Sequence, residues 1–194
     1  MSAICVFCGS RTGLHDTAAS AAEELARLLI RRQHRLVYGG GSVGLMGAIA
    51  DEMLKNSGDV IGVIPESLAS VELMHSRVDD MRIVPDMHAR KALMHELSDA
   101  YIALPGGYGT MEELFEVLSW AQLKIHTRPI ALLNLNGLYD GLITTIDNMV
   151  EQQFLPSKYR SLLTVCDTIA MLDDWLENCV GVRHEDASTP AGVF

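Results

Sequence analysis

The stretch AYIALPGGYGTMEE, residues 100–113, carries the reading on which the fold class turns. Ala100–Leu104 is an apolar run of the length and composition of a buried strand. Pro105–Gly109 is a glycine-rich turn, and Met111–Leu123 has the amphipathic spacing of a helix. The same strand–turn–helix unit recurs towards the N-terminus. Ala3–Phe7 runs into Gly9-Ser10, and Ala18–Arg31 follows with helical spacing through Ala22, Leu25, Leu28 and Leu29. Arg35–Tyr38 runs into Gly39-Gly40-Gly41 and a helix over Val43–Lys55, and Val60–Ile64 is a strand stopped by Pro65. Between Glu66 and Pro85 the pattern is irregular, and a long loop with a short strand near Arg82–Val84 is expected. Asp86 reads as the N-cap of a helix over Met87–Leu97. Beyond the central stretch come a strand at Ile130–Leu133, a helix at Tyr139–Gln152, a short strand at Leu163–Cys166 and a helix at Ile169–Cys179.

This alternation predicts an α/β protein, a Rossmann-like doubly wound open parallel sheet with helices on both faces. It is expected as a single domain over residues 1–181, with a flexible tail at 182–194. Ligands of such sheets sit at the carboxyl ends of the strands, where both glycine turns fall.

Composition narrows the function. The 194 residues are 48% hydrophobic and 21% charged, which suits a globular core, and the formal net charge is −10. A nucleic-acid surface needs a basic face, so that partner is not expected. A small anionic substrate is compatible if a few cations gather in one site. Cys5 and Cys8 form a CxxC with no second pair at zinc spacing, and their odd offset puts them on opposite faces of a strand, as core filler. With Cys166 and Cys179 they suit a reducing, cytoplasmic setting. No charged leader and no apolar run of membrane-spanning length are recognised. The seven histidines show no HxxxH or HExxH spacing, so neither a metal nor another cofactor is expected.

The two glycine clusters carry the chemistry. Gly39, Gly41 and Gly44 spell GxGxxG, while Gly40, Ser42 and Gly44 spell GxSxG, so the first cluster fits a dinucleotide turn, a serine nucleophile elbow or a plain tight turn. In the second, the amides of Gly107, Gly109 and Thr110 would form an anion cradle at a helix N-terminus, suited to phosphate. Thr110-x-x-Glu113 also reads as a capping box, a structural role for both residues. Arg90 and Lys91 lie in the first turns of the helix capped by Asp86, where cations oppose the helix dipole. A nearby anion, from substrate or from a carboxylate such as Glu113, accounts for them; a solvated surface pair is the plainer alternative.

At Pro105–Glu113 the sequence resembles the PGGxGTxxE signature of the Lonely Guy family, phosphoribohydrolases that release cytokinin bases from riboside 5′-monophosphates. The resemblance runs from Ile4 to about Leu155 and includes CVFCGS at 5–10, VYGGGSVGLMG at 37–47, GVIP at 62–65, DMHARKA at 86–92 and WAQL at 120–123. It implies Arg90 and Glu113 as catalytic residues. It further implies substrate contacts from Glu72, Lys91, Gly107, Tyr108, Gly109, Thr110, Met111, Glu112 and Ser119, with Gly40 and Gly41 in the first glycine turn. The implied substrate is a nucleoside 5′-monophosphate, AMP or N6-prenyl-AMP, and the implied assembly a homodimer. Some relatives carry the label lysine decarboxylase, but no pyridoxal site is evident. The rival readings are a serine hydrolase at Ser42, a non-catalytic nucleotide or cofactor carrier, and a dinucleotide-dependent enzyme.

Overall fold

A computed structural model describes residues 1–69 and 74–180. In chain order its elements are β1 (Ala3–Phe7), α1 (Thr17–Arg31), β2 (Arg35–Tyr38), α2 (Gly44–Lys55), β3 (Val60–Pro65), α3 (Glu66–Ala69), β4 (Asp80–Val84), α4 (Met87–Glu96), β5 (Ala100–Ala103), α5 (Tyr108–Gln122), β6 (Ile130–Leu133), α6 (Asp140–Glu151), β7 (Leu163–Cys166) and α7 (Ile169–Cys179). Among the described residues seven strands form one sheet in the order β4-β3-β2-β1-β5-β6-β7, and each neighbouring pair is parallel. The chain winds outward from β1 to β4 and then returns to place β5 on the other side of β1. That reversal is the topological switch point, and it opens a crevice at the carboxyl ends of β1 and β5.

Alternation along the strands builds two cores. Ile4, Val6, Leu36, Tyr38, Ala100 and Ile102 face one side and pack with α1, α2 and α7. Cys5, Phe7, Val37, Tyr101 and Ala103 face the other and pack with α4, α5 and α6. Cys5 and Cys8 divide between the two cores, as their odd offset requires, and both thiols are free and buried. No helix of the described residues is long and apolar enough to cross a membrane.

Three elements differ from the sequence expectation. β4 is a full edge strand, paired with β3 from Ile61↔Asp80 to Pro65↔Val84. Its weak signal follows from position: Arg82 and Ile83 are exposed on the sheet edge, and Pro65 terminates its partner rather than preceding it. α3 forms directly after Pro65, inside the expected loop. Most consequential for the site, α5 starts at Tyr108 with Gly107 as its N-cap, so the helix begins three residues before Met111. The capping box does not form. Thr110 is already helical and buried, and its side chain occupies the space over Gly106, where a Cβ would stand 2.0 Å from Thr110 Oγ1. The Asp86 cap, by contrast, is present: its Oδ1 accepts from the Ala89 amide at 2.8 Å. The expected tail at 182–194 lies outside the described residues.

Candidate active site

The crevice at the switch point holds a cavity of about 200 Å³ lined by Cys8, Gly9 and Ser10 after β1, Met46 of α2, Arg90 of α4, and the segment Gly107–Thr110 with Glu113 of α5. A wider cleft of about 610 Å³ shares Gly9, Ser10 and Gly107 with it and continues along Arg11–His15, Asn136 and Leu138. Gly9, Ser10 and Gly107 therefore form the shared wall of the two.

Arg90 is 9% exposed although it sits in the first turn of α4. Its Nε donates to the Val63 carbonyl at 3.2 Å, Nη2 to the Gly39 carbonyl at 3.4 Å, and Nη1 lies 3.8 Å from Glu113 Oε1. The guanidinium is thus fixed by the ends of β2 and β3 and turned towards α5. Gly39 makes the seat possible, since a Cβ there would stand 2.0 Å from Nη2. Burial raises the Glu113 pKa to about 7, against the pull of Arg90, which lowers it; Glu112 adds a smaller upward push. Near neutral pH this carboxyl is poised between its two protonation states, as a proton-transfer group requires.

Lys91 points to the other side of the same helix contact. Its Nζ lies 2.5 Å from Glu112 Oε1 and 2.8 Å from Glu116 Oε1. Burial disfavours its charge, but the hydrogen bonds it donates to Glu112 and Glu116 outweigh that and raise its pKa above the ordinary lysine value. The two cations on α4 that oppose its dipole are therefore both matched by α5 carboxylates, and neither is a solvated surface charge.

The two glycine clusters differ in what surrounds them. In the first, the fold accounts for each glycine: Gly39 seats Arg90, Gly40 has φ +77° and lies against Ile64 and Met81, Gly41 lies against Met46, and Gly44 has φ +61° with the Ser10 backbone 2.2 Å from where a Cβ would be. In the second, Gly106 is held by Thr110, but Gly107 and Gly109 have nothing within 4 Å of a built Cβ and neither has a positive φ. No neighbouring atom and no positive φ requires glycine at these two positions. They leave bare backbone at the first turn of α5, whose leading amides have no partner within the helix. Tyr108 between them is 97% exposed.

Of the residues expected at the site, Arg90, Glu113, Gly107, Tyr108, Gly109 and Thr110 come together around the cavity. Lys91 and Glu112 pair with each other beside it, and Met111 packs into the core beneath α5. Gly40 and Gly41 do not line it, and Gly40 instead lends its carbonyl to the His75 amide at 3.0 Å. Ser119 is not brought there: it lines a separate apolar groove with Phe115, Leu118, Ile146 and Met149. Glu72 lies outside the described residues. Cys8, Gly9 and Ser10 line the cavity without having been assigned to it. The position of Cys8 and Ser10, at the carboxyl end of the central strand, is the signal that could have found them.

The family described as possible lysine decarboxylase matches residues 46–174. A probable cytokinin riboside 5′-monophosphate phosphoribohydrolase of Oryza sativa subsp. japonica is 48% identical over 184 residues, covering 95% of this chain and 87% of the relative. A cytokinin riboside 5′-monophosphate phosphoribohydrolase of Arabidopsis thaliana is 47% identical over 183 residues, covering 94% and 85%. The chain belongs to the Lonely Guy family. Among solved structures, the molybdenum cofactor carrier protein of Chlamydomonas reinhardtii superposes with a TM-score of 0.70 over 92% of this chain and 97% of its own, at 20% identity, a likeness of fold alone. The lysine decarboxylase description of the Lonely Guy family does not suit the site. Pyridoxal phosphate needs a lysine that can present a neutral amine for a Schiff base. Lys91, the lysine beside the crevice, is instead held as an ammonium by Glu112 and Glu116.

Proposed function

We propose that the chain hydrolyses the N-glycosidic bond of purine riboside 5′-monophosphates, AMP or N6-prenylated AMP, releasing the free base and ribose 5-phosphate. The observation that carries this reading is the buried Arg90–Glu113 pair set beside the bare backbone of Gly107 and Gly109. The names of the 48% and 47% identical relatives support it. In this reading the first-turn amides of α5 hold the 5′-phosphate, which places the ribose towards Glu113. Leaving of the base builds positive charge on the sugar, and the Glu113 carboxylate stabilises that charge and orients the attacking water. Arg90 fixes the carboxylate and keeps part of it ionised against the cost of burial. Grip on the phosphate supplies remote binding energy, so a nucleoside without phosphate reacts poorly. The deciding experiment is a product assay for free base and ribose 5-phosphate from AMP, GMP, CMP and isopentenyl-AMP, with kinetics for each. Absence of free base from all four sinks the proposal.

The glycines give a sharper test of the phosphate cradle. Gly109→Ala meets no atom within 4 Å and sits in a helix, where alanine is favoured over glycine by about 0.5–1 kcal/mol. The variant is expected to melt at or above the wild-type temperature while its KM for AMP rises about tenfold, because a methyl group stands where the phosphate approaches. An unchanged KM would place the phosphate elsewhere.

The same reading includes a cytoplasmic, single-domain enzyme over residues 1–181 that works as a homodimer. Buried free thiols at Cys5, Cys8 and Cys166 suit the compartment. The groove between α5 and α6, with Phe115 and Met149 partly exposed and Leu123 and Ile125 more than half exposed nearby, is the apolar face a second copy would cover. Light scattering is expected to give twice the 21.2 kDa chain mass, and Leu123→Glu to shift it towards a single chain.

A further inference from the structure

A second set of polar side chains lies behind the glycine turn at Gly39–Gly41, away from the cavity. His75 is 4% exposed and anchors three contacts at once. Its backbone amide donates to the Gly40 carbonyl at 3.0 Å, next to the bridge that pairs Met74 with Gly41. Its Nδ1 faces the Arg77 amide at 3.4 Å, and its Nε2 lies 3.0 Å from Asp51 Oδ1. An amide approaching Nδ1 leaves the ring proton on Nε2, from which it is donated to Asp51. Asp51 also accepts from Arg77 Nη2, and it belongs to α2, the helix that leaves the glycine turn at Gly44. The result is a closed circuit: turn to α2, α2 to Asp51, Asp51 to His75, and His75 back to the turn.

That turn is the wall against which Arg90 lies. Gly39 accepts from Arg90 Nη2 and leaves no room for a Cβ beneath it, while Gly40 carries φ +77° and is wedged against Ile64 and Met81. A displacement of the turn therefore displaces the guanidinium, and with it the group facing Glu113 at 3.8 Å. Displacements of about 1 Å far from the reacting atoms are enough to cost two orders of magnitude in rate.

We propose that His75 is a positioning residue for the Arg90–Glu113 pair, holding the Gly39–Gly41 turn to α2 through Asp51. The role rests on the phosphoribohydrolase reading only for its kinetic consequence. His75 does not line the cavity.

The test compares His75→Ala, His75→Gln and Asp51→Ala with the wild type in full-length protein. Base release from AMP is expected to show kcat lowered about tenfold in His75→Ala with KM within about twofold, because the cradle at α5 is untouched. Asp51→Ala, half exposed and tolerant of truncation, is expected to move kcat in the same direction. Glutamine can present an N–H towards Asp51, so His75→Gln is expected to restore most of kcat. The readout independent of turnover is hydrogen exchange of the Arg90 Nε–H in protein labelled with ¹⁵N-arginine. It is expected to be slow in the wild type and in His75→Gln, and faster in His75→Ala and Asp51→Ala. If the wild type releases no base, the functional reading fails while the exchange comparison still decides the positioning role. Wild-type Arg90 protection in the folded alanine variants, or a loss confined to KM, overturns it.

Discussion

Replacing Glu113 with glutamine is expected to lower kcat by roughly a hundred- to a thousandfold while AMP still binds. Glutamine keeps the shape and can still face Arg90, so the cavity and the first turn of α5 are preserved. What it lacks is the charge that meets the developing cation on the ribose and the base that orients water. Affinity for the phosphate is expected to hold or improve, since a negative charge beside an anion site is removed. The wild-type kcat/KM should climb with pH through about 7, where Glu113 ionises in the free enzyme, and the climb should be missing from the glutamine variant. Isothermal titration with AMP and steady-state base release separate the two effects. Full activity in the variant would remove Glu113 from the chemistry.

The same substitution has a consequence for stability whose sign follows from linkage. The folded-state pKa of Glu113 is raised from 4.5 to about 7, so between these values the folded chain holds a proton that the unfolded chain releases. Wild-type stability therefore loses this contribution as pH rises from about 4.5 through 7 and does not recover it above. Glutamine does not titrate and mimics the protonated form. Relative to the variant, the wild type is expected to weaken by up to about 3 kcal/mol between pH 4.5 and pH 8. Melting curves of both proteins across that range test this, and parallel curves would mean that burial does not hold the Glu113 proton.

The elements were legible because short continuous apolar runs read differently from helical spacing, and β1, β2 and β5 are buried along almost their whole length, as such runs require. β4 was legible only as a short strand near Arg82–Val84, and its start at Asp80 was lost, because an exposed edge strand carries polar residues and mimics a loop. The cations at Arg90 and Lys91 were legible as a misfit with the dipole of α4, and the structure supplies α5 carboxylates opposite both. The start of α5 was misjudged because Thr110-x-x-Glu113 is a reasonable capping box until Gly106 is seen to make room for the Thr110 side chain. Harder still was the role of the first glycine cluster. Gly39 seats an arginine 51 residues further along the chain, and a contact of that separation leaves no local pattern. Its glycines read as ligand-binding motifs, yet the fold accounts for them, whereas Gly107 and Gly109 have open space around them.

Arg90→Lys tests that seat, and kcat/KM is expected to fall by about a hundredfold although the charge is kept. Arginine serves Val63, Gly39 and Glu113 from three separate nitrogens of one planar fork. A lysine offers one nitrogen, so two buried carbonyls lose donors at about 1–3 kcal/mol each, and the charge settles away from Glu113. With its counter-charge withdrawn, Glu113 is expected to ionise later, moving the rise of kcat/KM to a pH above that of the wild type. Gly39→Ala should reproduce both effects in milder form without altering any charge, because its Cβ would stand 2.0 Å from Arg90 Nη2 and drive the guanidinium off its seat. The two substitutions act on one contact, so they are not expected to add. Lysine has no Nη2 for the alanine methyl to meet, and the double variant should be no slower than Arg90→Lys alone. Multiplicative losses would mean that Gly39 and Arg90 serve activity separately, and the glycine turn would then need a role of its own.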